Sequence, residues 1–260
     1  ASVASPATSS PTETLNSSSD GCWVAPPPAS LGLDPFYTKY CSALGIPIVA
    51  SGEVPDRALQ RAWAIVTQML RGMPQAEAVR ASLTRTSARI GIIGAAQATT
   101  DLPEHRSLYA LFPDVDWNAR ARGVGATLEI PLLSVAEENL LCYPGDRWNG
   151  QNVLVHEFAH TLKNLGLDLV DPTFHAEVQR AYQQALDAGL WPGAYVSSDV
   201  EEYWAEGVRL YFQVEAAGVP EGQPYPANSR AELQRYDPEL YRLVERVFGP
   251  HDGISPCPTE

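Results

Sequence analysis

His156 and His160 stand four residues apart in the segment Val153–Leu162 (VLVHEFAHTL), with Glu157 beside the first of them. Four residues is about one helical turn, so both imidazoles share a face and Glu157 lies roughly 100° round from His156. Two neutral imidazoles so placed reach one Zn²⁺ at about 2.0–2.1 Å, leaving a third protein ligand to be found and one position open for water. Glu157 would then face that water rather than the ion, which is the place of a general base. Val153, Leu154, Val155, Phe158, Ala159 and Leu162 fill the remaining turns, so the predicted helix is buried and its two histidines and carboxylate need polar partners.

The third ligand has to come from elsewhere in the chain. A His-x-x-Gly-x-x-His extension would need glycine at 163 and histidine at 166, where the chain has Lys163 and Gly166. His175 is the next histidine, but it falls in the exposed turn of another predicted helix. Residues 199–212 read DVEEYWAEGVRLYF, a predicted helix on which Glu202 and Glu206 share one face and Glu201 lies about 100° from Glu202. Tyr203, Trp204, Val208, Leu210, Tyr211 and Phe212 make this helix too apolar for a solvated acidic face. Glu202 is the favoured ligand, with Glu206 one turn on accepting the outer N–H of a ligand histidine; Glu206 or Glu201 as the ligand stays open. Tyr195, in a loop reading PGAYVSS, is open to two readings: a half-buried loop tyrosine, or a phenol turned toward a carbonyl whose oxygen gains charge.

These residues together resemble the gluzincin metallopeptidases, and in layout particularly the family of the anthrax lethal factor catalytic domain. The resemblance covers roughly residues 151–212 and rests on the His-Glu-Phe-x-His segment, Tyr195, and the later Glu202-Tyr203-Trp204-Ala205-Glu206 segment. It implies one catalytic Zn²⁺ bound by His156, His160 and Glu202, with Glu157 as general base, Tyr195 as transition-state stabiliser and Glu206 behind a ligand. It also implies hydrolysis of a peptide bond in a peptide or protein substrate. Another amide hydrolase, or a secreted binding or toxin-like module with a non-catalytic zinc site, are the competing expectations. Residues 1–150 contribute nothing to the resemblance.

The elements that must position these side chains are predicted from periodicity and punctuation. Short apolar runs suggest buried strands at 45–51, 88–94 and 126–130, and apolar residues at helical spacing give an amphipathic helix over 56–71 with Asp56 as N-cap. Further helices are predicted over 152–165, 172–188, 199–214 and 230–248. The expected fold is α+β: a small mixed sheet with helices in the first half, a mainly helical second half, and a zincin-like active-site helix. One catalytic domain over 22–260 is expected, with lobes of about 22–150 and 151–260.

Three other stretches carry polar residues in groups. Residues 101–106 (DLPEHR) read as a loop. Glu137-Glu138-Asn139 lacks the alternating oxygen spacing of a Ca²⁺ loop and reads as a capped, solvated turn. Arg120, Arg122, Gly123 and Gly125 precede the presumed third strand, where glycines would let a substrate backbone approach the sheet edge.

Composition sets the outer bounds. Thirty-one acidic against eighteen basic residues give a formal charge of −13, which disfavours nucleic acid and anionic membrane surfaces as partners. No apolar run reaches the roughly 18 residues of a membrane span. Cys22, Cys41, Cys142 and Cys257 are widely spaced, which suits two disulfides in any of three pairings rather than a structural zinc site. Residues 1–21 are rich in Ser, Thr and Pro and read as a disordered tail with a possible glycosylation site at Asn16. With the absence of an initiating methionine, that tail suggests a secreted, extracellular protein, expected to be a monomer.

Overall fold

The computed structural model of the chain describes residues 21–148, 151–213 and 226–258. Residues 1–20 of the predicted tail, Asn16 included, lie outside the described residues. The fold is α+β. A five-stranded mixed sheet occupies the first half, in the order β1-β2-β3-β5-β4, and the second half is helical.

Strands β1 (Lys39–Ala43) and β2 (Ile46–Ala50) form an antiparallel hairpin that pairs Ala43 with Ile46 across a two-residue turn. Leu44 and Gly45 take φ of 54° and 94°, the left-handed pair that matches such a turn to the strand twist. Helices α1 (Asp56–Leu70) and α2 (Ala76–Arg85) then cross over to β3 (Arg89–Ile93), which lies parallel to β2. Asp56 is the first residue of α1 rather than its cap; Pro55 holds the cap position. The chain next makes a long excursion through two short helices, α3 (Leu108–Leu111) and α4 (Trp117–Arg120). It returns as the two-residue edge strand β4 (Gly123–Val124) and then as β5 (Leu132–Ala136), which runs parallel to β3 and antiparallel to β4.

The third predicted strand is therefore displaced: residues 126–130 form a loop between β4 and β5. Every residue of β5 is buried, because an interior strand covered on both faces carries a continuous apolar run without the alternation that marks a half-exposed strand.

After β5 come the single turn α5 (Glu137–Leu140) and the motif helix α6 (Val153–Leu162), which continues through a π-helical turn, Lys163–Leu167, into α7 (Asp168–Val170). Helices α8 (Phe174–Asp187), α9 (Val200–Phe212), α10 (Arg230–Tyr236) and α11 (Pro238–Phe248) complete the chain. The predicted helix over 230–248 is two helices. Proline disfavours helical backbone in the residue before it, and Asp237 leaves the helix to cap the next one, accepting from Leu240 N–H at 3.1 Å. Val214, the predicted end of the helix before it, lies outside the described residues. The larger cluster of buried residues runs from Cys22 to Ile254 and takes in both sheet and helices.

Candidate metal centre

Helix α6 starts where two asparagines satisfy its free N–H groups. Asn152 Oδ1 accepts from Val155 N–H at 3.1 Å, and Asn139 Oδ1 accepts from Val153 N–H at 2.9 Å. Asn139 is itself buried and donates to Asp146 and to the Gln151 carbonyl. Glu137 beside it is also buried and accepts from Ala95 N–H and the Tyr143 hydroxyl, while Glu138 pairs with Arg122 at 2.6 Å. The predicted solvated turn is thus a buried bonding centre. It joins the end of β3, the approach to β4 and the start of α6.

Glycines set the distance between strand and helix. A Cβ at Gly123 would lie 2.4 Å from Val153 Cγ1, and one at Gly125 would lie 2.8 Å from His160 Cβ. Both contacts are closer than nonbonded carbons approach, so β4 reaches α6 only because these side chains are absent. The glycines serve the approach of the fold's own helix. Thr161 locks the same seam, accepting from Ala126 N–H and donating to the Glu157 carbonyl.

Helix α9 supplies the acidic side. Asp199 caps it, its Oδ1 accepting from Glu201 and Glu202 N–H at 2.9 Å each. Trp204 Nε1 donates to the Ala159 carbonyl at 3.0 Å, which fixes α9 against α6. The tyrosine loop is held at both ends. Trp191 Nε1 donates to Asp237, which also accepts from Tyr203, and Tyr182 donates to the Ser197 carbonyl.

These elements bring every predicted site residue together. His156 Nε2 and His160 Nε2 are 3.1 Å apart, and Glu202 Oε2 lies 3.1 Å from the first and 3.6 Å from the second. Tetrahedral ligands at about 2.0–2.2 Å from an ion are separated from one another by about 3.3–3.6 Å. The three atoms therefore stand close to the corners such an ion requires. Glu202 Oε2 is buried and has no hydrogen bond of acceptable geometry. Among the described residues these three side chains are the group able to hold a metal ion. Each side chain keeps between 11 % and 17 % of its surface accessible, which leaves an approach from solvent.

Glu206 Oε1 faces His156 Nδ1 at 2.9 Å, the partner that leaves Nε2 with its lone pair directed at the cluster. Behind Glu206, Arg209 pairs with the same carboxylate and donates to Gln151 at 2.7 Å. Sequence reasoning did not single out Arg209, although an acid and a base three apart on a helix are a recognisable pair. Tyr195 is half exposed, its ring stacked 6.4 Å from that of His156 and its hydroxyl on the Glu202 side of the cluster. His175 is elsewhere, its Nδ1 2.9 Å from Lys163 Nζ, and Glu201 turns to the same lysine at 2.8 Å. In the 101–106 stretch, His105 is buried and Glu104 bonds Arg89 and Tyr37.

The electrostatics follow from burial and these partners. Burial raises the Glu157 carboxyl, and the pull of His156 and His160 and a bond from Gly125 N–H offset this only in part, so its pKa stays above the ordinary value. Burial works against the charged form of His156, but Glu202 and Glu206 outweigh it and push its pKa up to about 10. Burial would raise Glu202 as well, yet the two imidazoles hold it well below the usual carboxylate range. Glu206 is also lowered, burial being overcome first by Arg209 and then by His156. Burial and the adjacent Glu202 push the Tyr195 phenol up, so it remains a proton donor.

No family model, curated protein or solved structure matches this chain.

Proposed function

We propose that this chain is a zinc-dependent hydrolase of the gluzincin kind that cleaves peptide bonds outside the cell. The observation that carries the reading is the convergence of His156 Nε2, His160 Nε2 and Glu202 Oε2 at separations of 3.1–3.6 Å, with Glu157 on the same helix. Two imidazoles and one carboxylate with a fourth direction open are the donor set of a catalytic Zn²⁺. When bound, the ion supplies a Lewis acid that polarises a carbonyl and increases the acidity of water.

The chain's own residues supply the proton chemistry. Glu157, raised by burial, takes the proton from the attacking water and returns it to the leaving amine. Tyr195 keeps its proton and donates toward the carbonyl oxygen as negative charge develops there. Glu206, fixed by Arg209, keeps His156 in the tautomer and orientation that present Nε2.

A peptide substrate is favoured by β4. It is the last strand of the sheet, so one side of its backbone has no strand beside it, and the Cβ of any residue at 123 would lie within 3.3 Å of Glu157. An extended peptide adds to such an edge through main-chain hydrogen bonds. The extracellular setting is supported by two disulfides, Cys22–Cys41 and Cys142–Cys257, since such bonds persist in oxidising compartments. No helix among the described residues is long and apolar enough to cross a membrane.

The reading is tested by incubating purified protein with unfolded casein and a peptide library, with chelator, and with chelator followed by zinc. Cleavage that stops with chelator and returns with zinc is expected. Zinc-replete protein that cleaves neither material would reject the peptidase reading.

A further inference from the structure

Lys163 is 1 % exposed, three residues beyond His160, at the start of the π-helical turn that prolongs α6. Its Nζ meets Asp168 Oδ2 at 2.8 Å, Glu201 Oε1 at 2.8 Å and His175 Nδ1 at 2.9 Å. A lysine ammonium has three N–H donors, and all three are matched, the third by His175 in the tautomer protonated on Nε2. The three acceptors come from α7, α9 and α8, so one buried amine joins the end of the histidine helix to the three helices that follow it.

The position of Glu201 makes this more than a structural tie. Glu201 and Glu202 are consecutive, both in the first turn of α9, and their N–H groups share the Asp199 cap. Glu206, one turn on, favours the face that carries Glu202, but the first turn itself offers a carboxylate on either side. In the structure Lys163 engages Glu201, and the rotation of about 100° between neighbouring helical residues then directs Glu202 to His156 and His160. Trp204 and Glu206 hold α9 to α6 further along, at the Ala159 carbonyl and at His156 Nδ1, and Lys163 adds the contact at the first turn, where the ligand carboxylate stands.

We infer that Lys163 is a positioning residue for the metal centre: by capturing Glu201 it sets the register of α9 and presents Glu202 as the third ligand. The inference rests on the metal-site reading given above. Among the described residues Lys163 Nζ bonds Asp168, His175 and Glu201 and none of the three ligand atoms or Glu157, so its effect passes through Glu201.

The test is Co²⁺ titration of the full chain, read by its visible d–d absorption, for wild type, Glu201→Gln and Asp168→Asn. Glu201 is one-third exposed and Asp168 one-fifth, so both variants are mild in packing terms. Each removes one charged partner of Lys163, but only Glu201 sits beside a ligand. Outer-shell partners of metal ligands are typically worth about 10–100-fold in affinity, and an indirect one less. We expect Glu201→Gln to weaken Co²⁺ binding by at least about fivefold and to shift the d–d bands, with Asp168→Asn within about twofold of wild type. Equal losses in both variants, or a Glu201→Gln titration and spectrum superimposable on wild type, would overturn the inference. Wild type that binds no Co²⁺ would instead remove the metal-site reading itself. Lys163→Met, followed by circular dichroism to establish folding, should reproduce the Glu201→Gln spectrum; a folded Lys163→Met with the wild-type spectrum also overturns the proposal.

Discussion

Glu157 has the clearest separable role in the proposal, because it shares the helix of the two proposed histidine ligands without being one. Glu157→Gln keeps the shape while removing the base. The expected outcome is unchanged zinc content with turnover lower by roughly 10²–10⁴-fold; near-normal turnover would remove Glu157 from the proton path. Since burial holds the Glu157 carboxyl of the metal-free chain above its ordinary pKa, chelator-treated protein should protonate Glu157 at a pH above the usual carboxylate range. An infrared titration of chelator-treated protein, differenced against Glu157→Gln, that places this carboxyl at ordinary glutamate values contradicts that environment. His156 gives a second pH test. Its folded pKa of about 10 exceeds the unfolded value near 6.5, so this group's stabilisation of chelator-treated protein is complete below about pH 6.5 and is lost as pH rises toward 10. Zinc loading should reverse the trend, because the ion competes with the proton at Nε2. Melting temperatures with and without chelator across that range measure both. At this scale the site was largely legible, since His156, Glu157, His160, Glu202 and Glu206 announce themselves by type and spacing. Arg209, Gln151 and Lys163 did not, because a buried cation is understood only from partners that the fold brings to it.

At the scale of elements, the site depends on how closely strand, helix and loop approach. Gly125→Ala places a methyl 2.8 Å from His160 Cβ, so the helix or the strand must move. Metal affinity should drop along with stability, and equilibrium dialysis of the variant checks it. Gly207→Ala is the control: its methyl would lie 2.6 Å from Leu240 Cδ1, on the side where α9 packs on α11. Overpacking of this kind costs typically about 1–3 kcal/mol. Denaturant unfolding should show that loss, with metal affinity nearly retained if the strain stays local to the α9–α11 contact. Elements were legible where pattern and punctuation agreed, as in α1, α6 and α9. They were not where the signal was hidden: β5 is a uniformly buried LLSVA run, and the polar Lys39, Tyr40 and Ser42 conceal the short edge strand β1. The break between α10 and α11 was readable in Asp237-Pro238 but was outweighed by the helical spacing of the apolar residues on either side.

Across the whole molecule, the disulfides close loops of different reach. Cys22–Cys41 spans 19 residues, and Cys142–Cys257 spans 115 and pins the last described residues beside α1, where Gly253 and His251 bond to Gln68. Chain entropy makes the longer loop the more stabilising, at about 4–5 kcal/mol against about 3 for the shorter. Reduction should therefore lower the melting temperature, with a Cys142→Ser/Cys257→Ser pair accounting for the larger part; equal effects from the two bridges would contradict the loop argument. Which of three pairings forms was not legible, because it depends on the hairpin and on the return of the C-terminal segment to α1. The α+β division was legible, since strands and helices fall in separate halves of the chain.

One determination reaches the centre of the account: anomalous diffraction at the zinc edge from crystals of the full chain loaded with Zn²⁺. A single peak within about 2.0–2.2 Å of His156 Nε2, His160 Nε2 and a Glu202 oxygen is the predicted result. A peak bound elsewhere, or no peak between those three side chains at full zinc loading, would contradict it.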